Sequence, residues 1–283
     1  MRLLLLALLM VFNLQAKSLF SNEEQKNTSE YIENLKNLIL ATQRTRGLTN
    51  SYLNGNTAAM LLVFSNRDDM KIAIGNMESL PLAADPVINA RATAISKALT
   101  RLNRKAFKQD PKKTFAAYTD QIEQTLMLAQ AASKRSAKNL SDFGKAISST
   151  MMELMLPMTE YTGELRGKGA GIAAKGKVTK EQMQDMLALL YQLQSTNKKL
   201  QNSMSKIISD YSSKLPQTAT SELEQIDKKT KAYMDLIQKK LLKHPEKVNS
   251  DEYFDQGTDL IDAIVALYDT SNKAIKEDAK GWL

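Results

Sequence analysis

The chain has 283 residues, with 39 basic and 31 acidic side chains, a net charge of +8, one histidine and no cysteine. The lack of cysteine excludes disulfides, thiol catalysis and a lipid anchor on a cysteine. The one histidine sits before a proline at a helix end, no Ser/His/Asp set is recognised, and no enzyme is expected. The positive balance favours anionic partners in general, but the lysines are scattered as on a solvated helical surface, so nucleic acid is not expected.

Residues 1–16 read as a cleavable secretory signal: Arg2 gives the positive start, residues 3–12 the apolar core, and Ala16 a small residue at the cut. The apolar run is too short to span a bilayer, and nothing later is longer. A periplasmic or secreted mature chain without a membrane span is therefore expected. Ala, Leu, Met, Lys, Gln and Glu dominate the remainder, all good helix formers, and no alternating strand pattern is found.

The helices are expected as follows. The first covers residues 21–53, opened by a Ser21/Glu24 capping box and stopped at Gly55. The second covers residues 57–77, before a break between Pro81 and Pro86. Asp85-Pro86 and Asp110-Pro111 each cap a helix and place proline at its first position, opening the third and fourth helices. The fifth runs from Ser141 to about Lys175, with Pro157 expected to kink it and Gly176 to stop it. Thr179 and Gln182 form another capping box for a sixth helix reaching about Lys214. The seventh covers residues 220–243, and the eighth residues 251–279.

The first and fifth helices share a motif. Thr42-x-x-x-Arg46-Gly47 returns 120 positions later as Thr162-x-x-x-Arg166-Gly167. Around the first copy, Ile32, Leu35, Ile39, Thr42, Arg46, Thr49 and Leu53 fall at the a/d spacings of a packed seam. Around the second, Met152, Met155, Thr159, Thr162, Arg166, Gly169 and Ala173 do the same. Both arginines are thus expected to point inward, where a guanidinium without a partner is costly. A second shared stretch, Tyr118-Thr119-Asp120-Gln121 and Tyr253-Phe254-Asp255-Gln256, follows in the same order. The chain is accordingly expected to be all-α, an internal duplication forming two four-helix bundles over residues 17–138 and 139–283.

Two readings account for the inward arginines. In one they bind a small oxyanion, with Arg46 and Arg166 as main donors, Arg44 at the helix edge, and the hydroxyls of Thr42 and Thr162 one turn away. In the other they form internal ion pairs, with Asp120 and Asp255 as natural partners. Glycines spaced by four (Gly163, Gly167, Gly171) fit either room for an anion or a tight helix crossing. Glu153, Glu160 and Glu164 read as a solvated face, and Met151, Met152, Met155 and Met158 as core filling rather than a copper site. Neither a metal nor a cofactor is expected.

The motif Gln43-x-x-Arg46-Gly47-x-x-x-x-Tyr52-Leu53, with a second Arg-Gly half, resembles the nitrate- and nitrite-sensing domain family. The resemblance implies two four-helix bundles and an arginine-lined site for nitrate or nitrite near the first helices of the halves. Two departures stand out: Thr45 replaces an acidic residue common before the Arg-Gly, and no arginine follows Arg166. No kinase, RNA-binding or methyl-accepting segment is recognised up to Leu283. A stand-alone exported protein of this kind is expected to dock a membrane-bound receptor or sensor kinase, or to act as a binding protein. The alternative is a ligand-free helical docking or structural protein of the cell envelope.

Overall fold

A computed structural model describes residues 2–280, with side chains described for residues 23–279. Among the described residues the chain is helical and holds no strand. The helices are α1 (Arg2–Leu53), α2 (Ala59–Ser79), α3 (Pro86–Lys105), α4 (Pro111–Ser136), α5 (Asp142–Thr150), α6 (Leu156–Lys175), α7 (Lys180–Asp210), α8 (Thr218–Leu236) and α9 (Ser250–Lys280). α1 runs on through Ser21, where a start was expected. The Ser21/Glu24 capping box, the apolar run at residues 3–12 and the signal cleavage site involve side chains outside the described residues.

Local signals set most other boundaries. Asp85 accepts hydrogen bonds from the Val87 and Ile88 amides, and Asp110 from that of Lys113, each with proline at the first turn. Thr179 and Gln182 form the expected reciprocal capping box. Gly55 and Gly176 carry positive φ (118° and 63°) where α1 and α6 end, a conformation that side chains resist. Pro157, where a kink was expected, lies in the first turn of α6. A π-helical turn at Met151–Met155 precedes it and joins α5 to α6, a wider turn that accommodates the hydrogen bond proline cannot make. A second π turn, Ile237–Leu241, closes α8.

Two rings of helices follow from the packing. α1, α2, α3 and α4 contact one another in cyclic order, and so do α6, α7, α8 and α9. The rings join where α1 lies along α6, with α5 reaching α9. Each outer helix buries one stripe, such as Ile88, Ile95 and Leu99 of α3. α1 and α6 are enclosed on several sides, so even their polar residues lose contact with water. Thr42, Gln43, Thr45, Arg46 and Thr49 are all at most 2% exposed, a concentrated demand for internal hydrogen bonds. Asn66 Nδ2 answers part of it, donating to the Ala41 carbonyl and to Thr45 Oγ1, both at 2.6 Å. Met151, Met152, Met155 and Met158 are buried among core side chains.

Candidate anion site

Glycine lets α1 and α6 cross at backbone distance. A Cβ on Gly47 would lie 3.3 Å from the Gly167 Cα, and one on Gly167 would lie 3.0 Å from the Gly47 Cα. Aromatic edges from opposite bundles cover the same two points. Phe254 of α9 would stand 2.7 Å from a Gly47 Cβ, and Phe115 of α4 2.8 Å from a Gly167 Cβ. The glycine ladder therefore serves a tight crossing lined by rings. Asn50 ties it further, donating to the Gly167 carbonyl at 2.9 Å.

The two arginines flank this crossing in matched settings. Arg46 stacks on Phe115, its guanidinium carbon 4.7 Å from the ring centroid, and Nη1 donates to Thr119 Oγ1 at 2.7 Å. Arg166 stacks on Phe254 at 4.5 Å, and Nη1 donates to Thr258 Oγ1 at 2.8 Å. In each case the ring and hydroxyl come from the last helix of the same bundle, one turn apart. The matched contacts thus pair Phe115 with Phe254 and Thr119 with Thr258. The sequence alignment instead set Tyr118 against Tyr253, one turn out of this register. Those tyrosines do different things: Tyr118 donates to Asn103 Oδ1, and Tyr253 to the Leu165 carbonyl.

The charges beside the arginines differ. Arg46 has a carboxylate, donating from Nη1 to Glu160 Oε1 at 2.5 Å and from Nη2 to Glu160 Oε2 at 3.1 Å. Gln43 Nε2 holds the same Oε2 at 2.9 Å. Glu160 is 5% exposed, which corrects its reading as part of a solvated face. Burial pushes its carboxyl up to about 7, against the pull of Arg46. Asp120 and Asp255, the expected partners, are exposed, and Arg46 pairs across the crossing instead.

Arg166 has no carboxylate within ion-pair distance among the described residues, and it is 3% exposed. Its Nε finds no hydrogen-bond partner, and neither does that of Arg46, so the missing carboxylate is what sets Arg166 apart. Burial pulls the Arg166 pKa down to about 10; the Tyr233 side chain and, more weakly, the charge of Asp262 oppose this, whereas the charges of Arg46 and Arg44 add to it. Tyr233 Oη is also buried and makes no hydrogen bond of good geometry, although the Tyr253 side chain lies beside it; a Cβ on Gly257 would meet it at 2.7 Å and Arg166 Cβ at 2.8 Å. The Tyr233 phenol and the aliphatic stem of Arg166 thus both pack on Gly257. Buried polar groups without a partner are rare in protein interiors.

The remaining sequence candidates sit differently. Arg44 is exposed. Thr42 and Thr162 are buried, but their hydroxyls donate to the Leu38 and Met158 carbonyls of their own helices, at 2.7 and 2.9 Å, leaving no hydrogen for an anion. Sequence reasoning missed Glu160, Tyr233, Thr119 and Thr258. One signal for Glu160 was available: it lies three residues before Gly163, on the same side of the helix as the glycines that face α1.

A family model described as nitrate and nitrite sensing matches residues 37–276. Among solved structures, that of the NasR transcription antiterminator superposes with a TM-score of 0.62 at 12% identity, covering 97% of this chain and 75% of that one. At that identity the likeness speaks for the fold. No curated relative matches the chain in sequence. Since the family match takes in both arginine helices and all but the ends of the two rings, the chain belongs to the nitrate and nitrite sensing family.

Proposed function

We propose that the protein is an exported sensor or binding protein for nitrate or nitrite, with the anion held at the crossing of α1 and α6. Arg166 is the principal cation, and Tyr233 Oη and the free Nε of Arg166 are the donors that the anion satisfies. Arg46 contributes positive potential from across the crossing. The observation that carries this reading is the state of Arg166, which is buried, without a carboxylate and short of a hydrogen-bond partner, in a chain of this family. A buried cation in that condition is a liability to folding that a bound anion removes.

The signal-like run behind Arg2 supports export. A membrane-bound receptor or sensor kinase then reads the occupied form. The proposed ancestry is a doubling, with halves at residues 17–138 and 139–283, and the matched Phe–Thr–Arg settings support it.

One observation favours a second reading. Arg46 already has Glu160, and aromatic rings fill the crossing, as in a ligand-free helical docking protein. Titration calorimetry with nitrate and nitrite, in a buffer of a bulky organic anion, separates the two. The sensing reading predicts one site per chain, lost in Arg166→Met. An absence of heat with either anion at millimolar concentration would leave only the docking reading.

A further inference from the structure

Glu160 already occupies an anion's place on one of the two arginines. Its two oxygens take the Nη1 and Nη2 protons of Arg46 as a bound oxyanion would, and Gln43 fixes the second oxygen. The other arginine lacks this arrangement. Leu40 stands 120 positions before Glu160, the spacing that relates Arg46 to Arg166 and Gly47 to Gly167. The matched position on α1 is therefore apolar, so of two buried guanidiniums only that of Arg46 has a buried carboxylate.

With Glu160 ionised, Arg46 is neutralised and Arg166 leaves one unpaired positive charge at a crossing where both arginines are at most 3% exposed. A monovalent anion brings it to neutrality. A divalent anion of similar size overshoots and leaves a net negative charge where no solvent screens it, which is strongly unfavourable. We infer that Glu160 sets the charge selectivity of the site: by neutralising Arg46 from within, it restricts the site to monovalent oxyanions and rejects divalent ones such as sulfate. The inference rests on the anion-binding reading above, and it assigns Glu160 a role separate from holding the helices together. Size alone would discriminate poorly, because sulfate offers the same kind of oxygen acceptors to the same donors.

The test is calorimetry at about pH 8.5, where Glu160 is ionised, with sodium nitrate and sodium sulfate at matched ionic strength, on the wild type, Glu160→Gln and Glu160→Asp. The wild type is expected to prefer nitrate by at least about a hundredfold. Glu160→Gln frees the Arg46 guanidinium in addition to the already unpaired Arg166, so sulfate affinity rises at least about tenfold and the preference falls or reverses. Glu160→Asp keeps the charge and restores the preference for nitrate, a split that a packing role would not produce. Should Glu160→Gln fail to fold, the wild type at about pH 5 supplies the same comparison by protonation. The groups acting on Glu160 are then Arg46 and Gln43 of α1, Glu164 of its own helix, and Thr119 of α4 through Arg46. Glu164 is held by Lys168 at 3.3 Å. An unchanged nitrate-to-sulfate ratio in Glu160→Gln, or in the acidified wild type, overturns the inference and leaves the sensing reading standing. No heat from either anion in any of the proteins overturns both.

Discussion

Arg46 and Arg166 stand at matched points with matched rings and hydroxyls, yet only one has a counter-charge. Removing Arg46 leaves Glu160 buried and unpaired, a loss of about 3–5 kcal/mol for a broken interior pair. Arg46→Met is therefore expected to lower the urea midpoint sharply at neutral pH, and less in acid, where Glu160 takes up a proton. Glu160 also gives the wild type a pH dependence. Its folded pKa is raised to about 7, above the unfolded value of about 4.3. The folded state thus holds a proton that the unfolded state releases. That contribution to stability is fully present below about pH 4.3 and is lost as the pH rises through about 7. Unfolding titrations over this window should show the decline, and Glu160→Gln should flatten it. At this scale the sequence disclosed which cations turn inward, because the seam through Arg46 and Arg166 is periodic. It hid the partner of Arg46, because an acid among acids on one helix reads as a wet face until a neighbouring helix covers it.

Helix ends were the most legible elements, because a cap is a local bargain between a side chain and the next turn. Asp85, Asp110, Thr179 and Gly176 each mark the boundary they were expected to mark. The passage at Pro157 was less so: a π turn there depends on how α5 and α6 must both pack, and no short motif announces it. The crossing of α1 and α6 depends on two absent Cβ atoms. Gly167→Ala would push a methyl to 2.8 Å from Phe115 and 3.0 Å from the Gly47 backbone. The expected cost is about 1–3 kcal/mol, the usual range for overpacking a well-filled interior. Gly75→Ala meets nothing within 4 Å and serves as the control; it should be neutral or slightly stabilising by chemical denaturation.

Across the whole molecule, the rings are joined by contacts that neither can satisfy alone. Arg46 with Glu160, Asn50 with the Gly167 carbonyl, and Gly47 against Gly167 all bridge α1 and α6. Separating the rings would expose an apolar seam and break a buried ion pair together. One cooperative transition is therefore expected, with calorimetric and van't Hoff enthalpies in agreement. Two resolved transitions would show that the rings are independent. The two-ring plan was legible because helix count and order follow from periodicity and caps. Which side chains meet between the rings was not, and the expected pairing with Asp120 and Asp255 failed for that reason. The central claim is that Arg166 is a buried charge kept at a cost to stability for the sake of an anion. Thermal unfolding of the wild type and Arg166→Met over a nitrate titration tests it most directly. The account predicts that the variant melts higher than the wild type without nitrate, and that nitrate raises only the wild-type midpoint by mass action. A variant that melts lower without nitrate, and responds to nitrate as the wild type does, would contradict it.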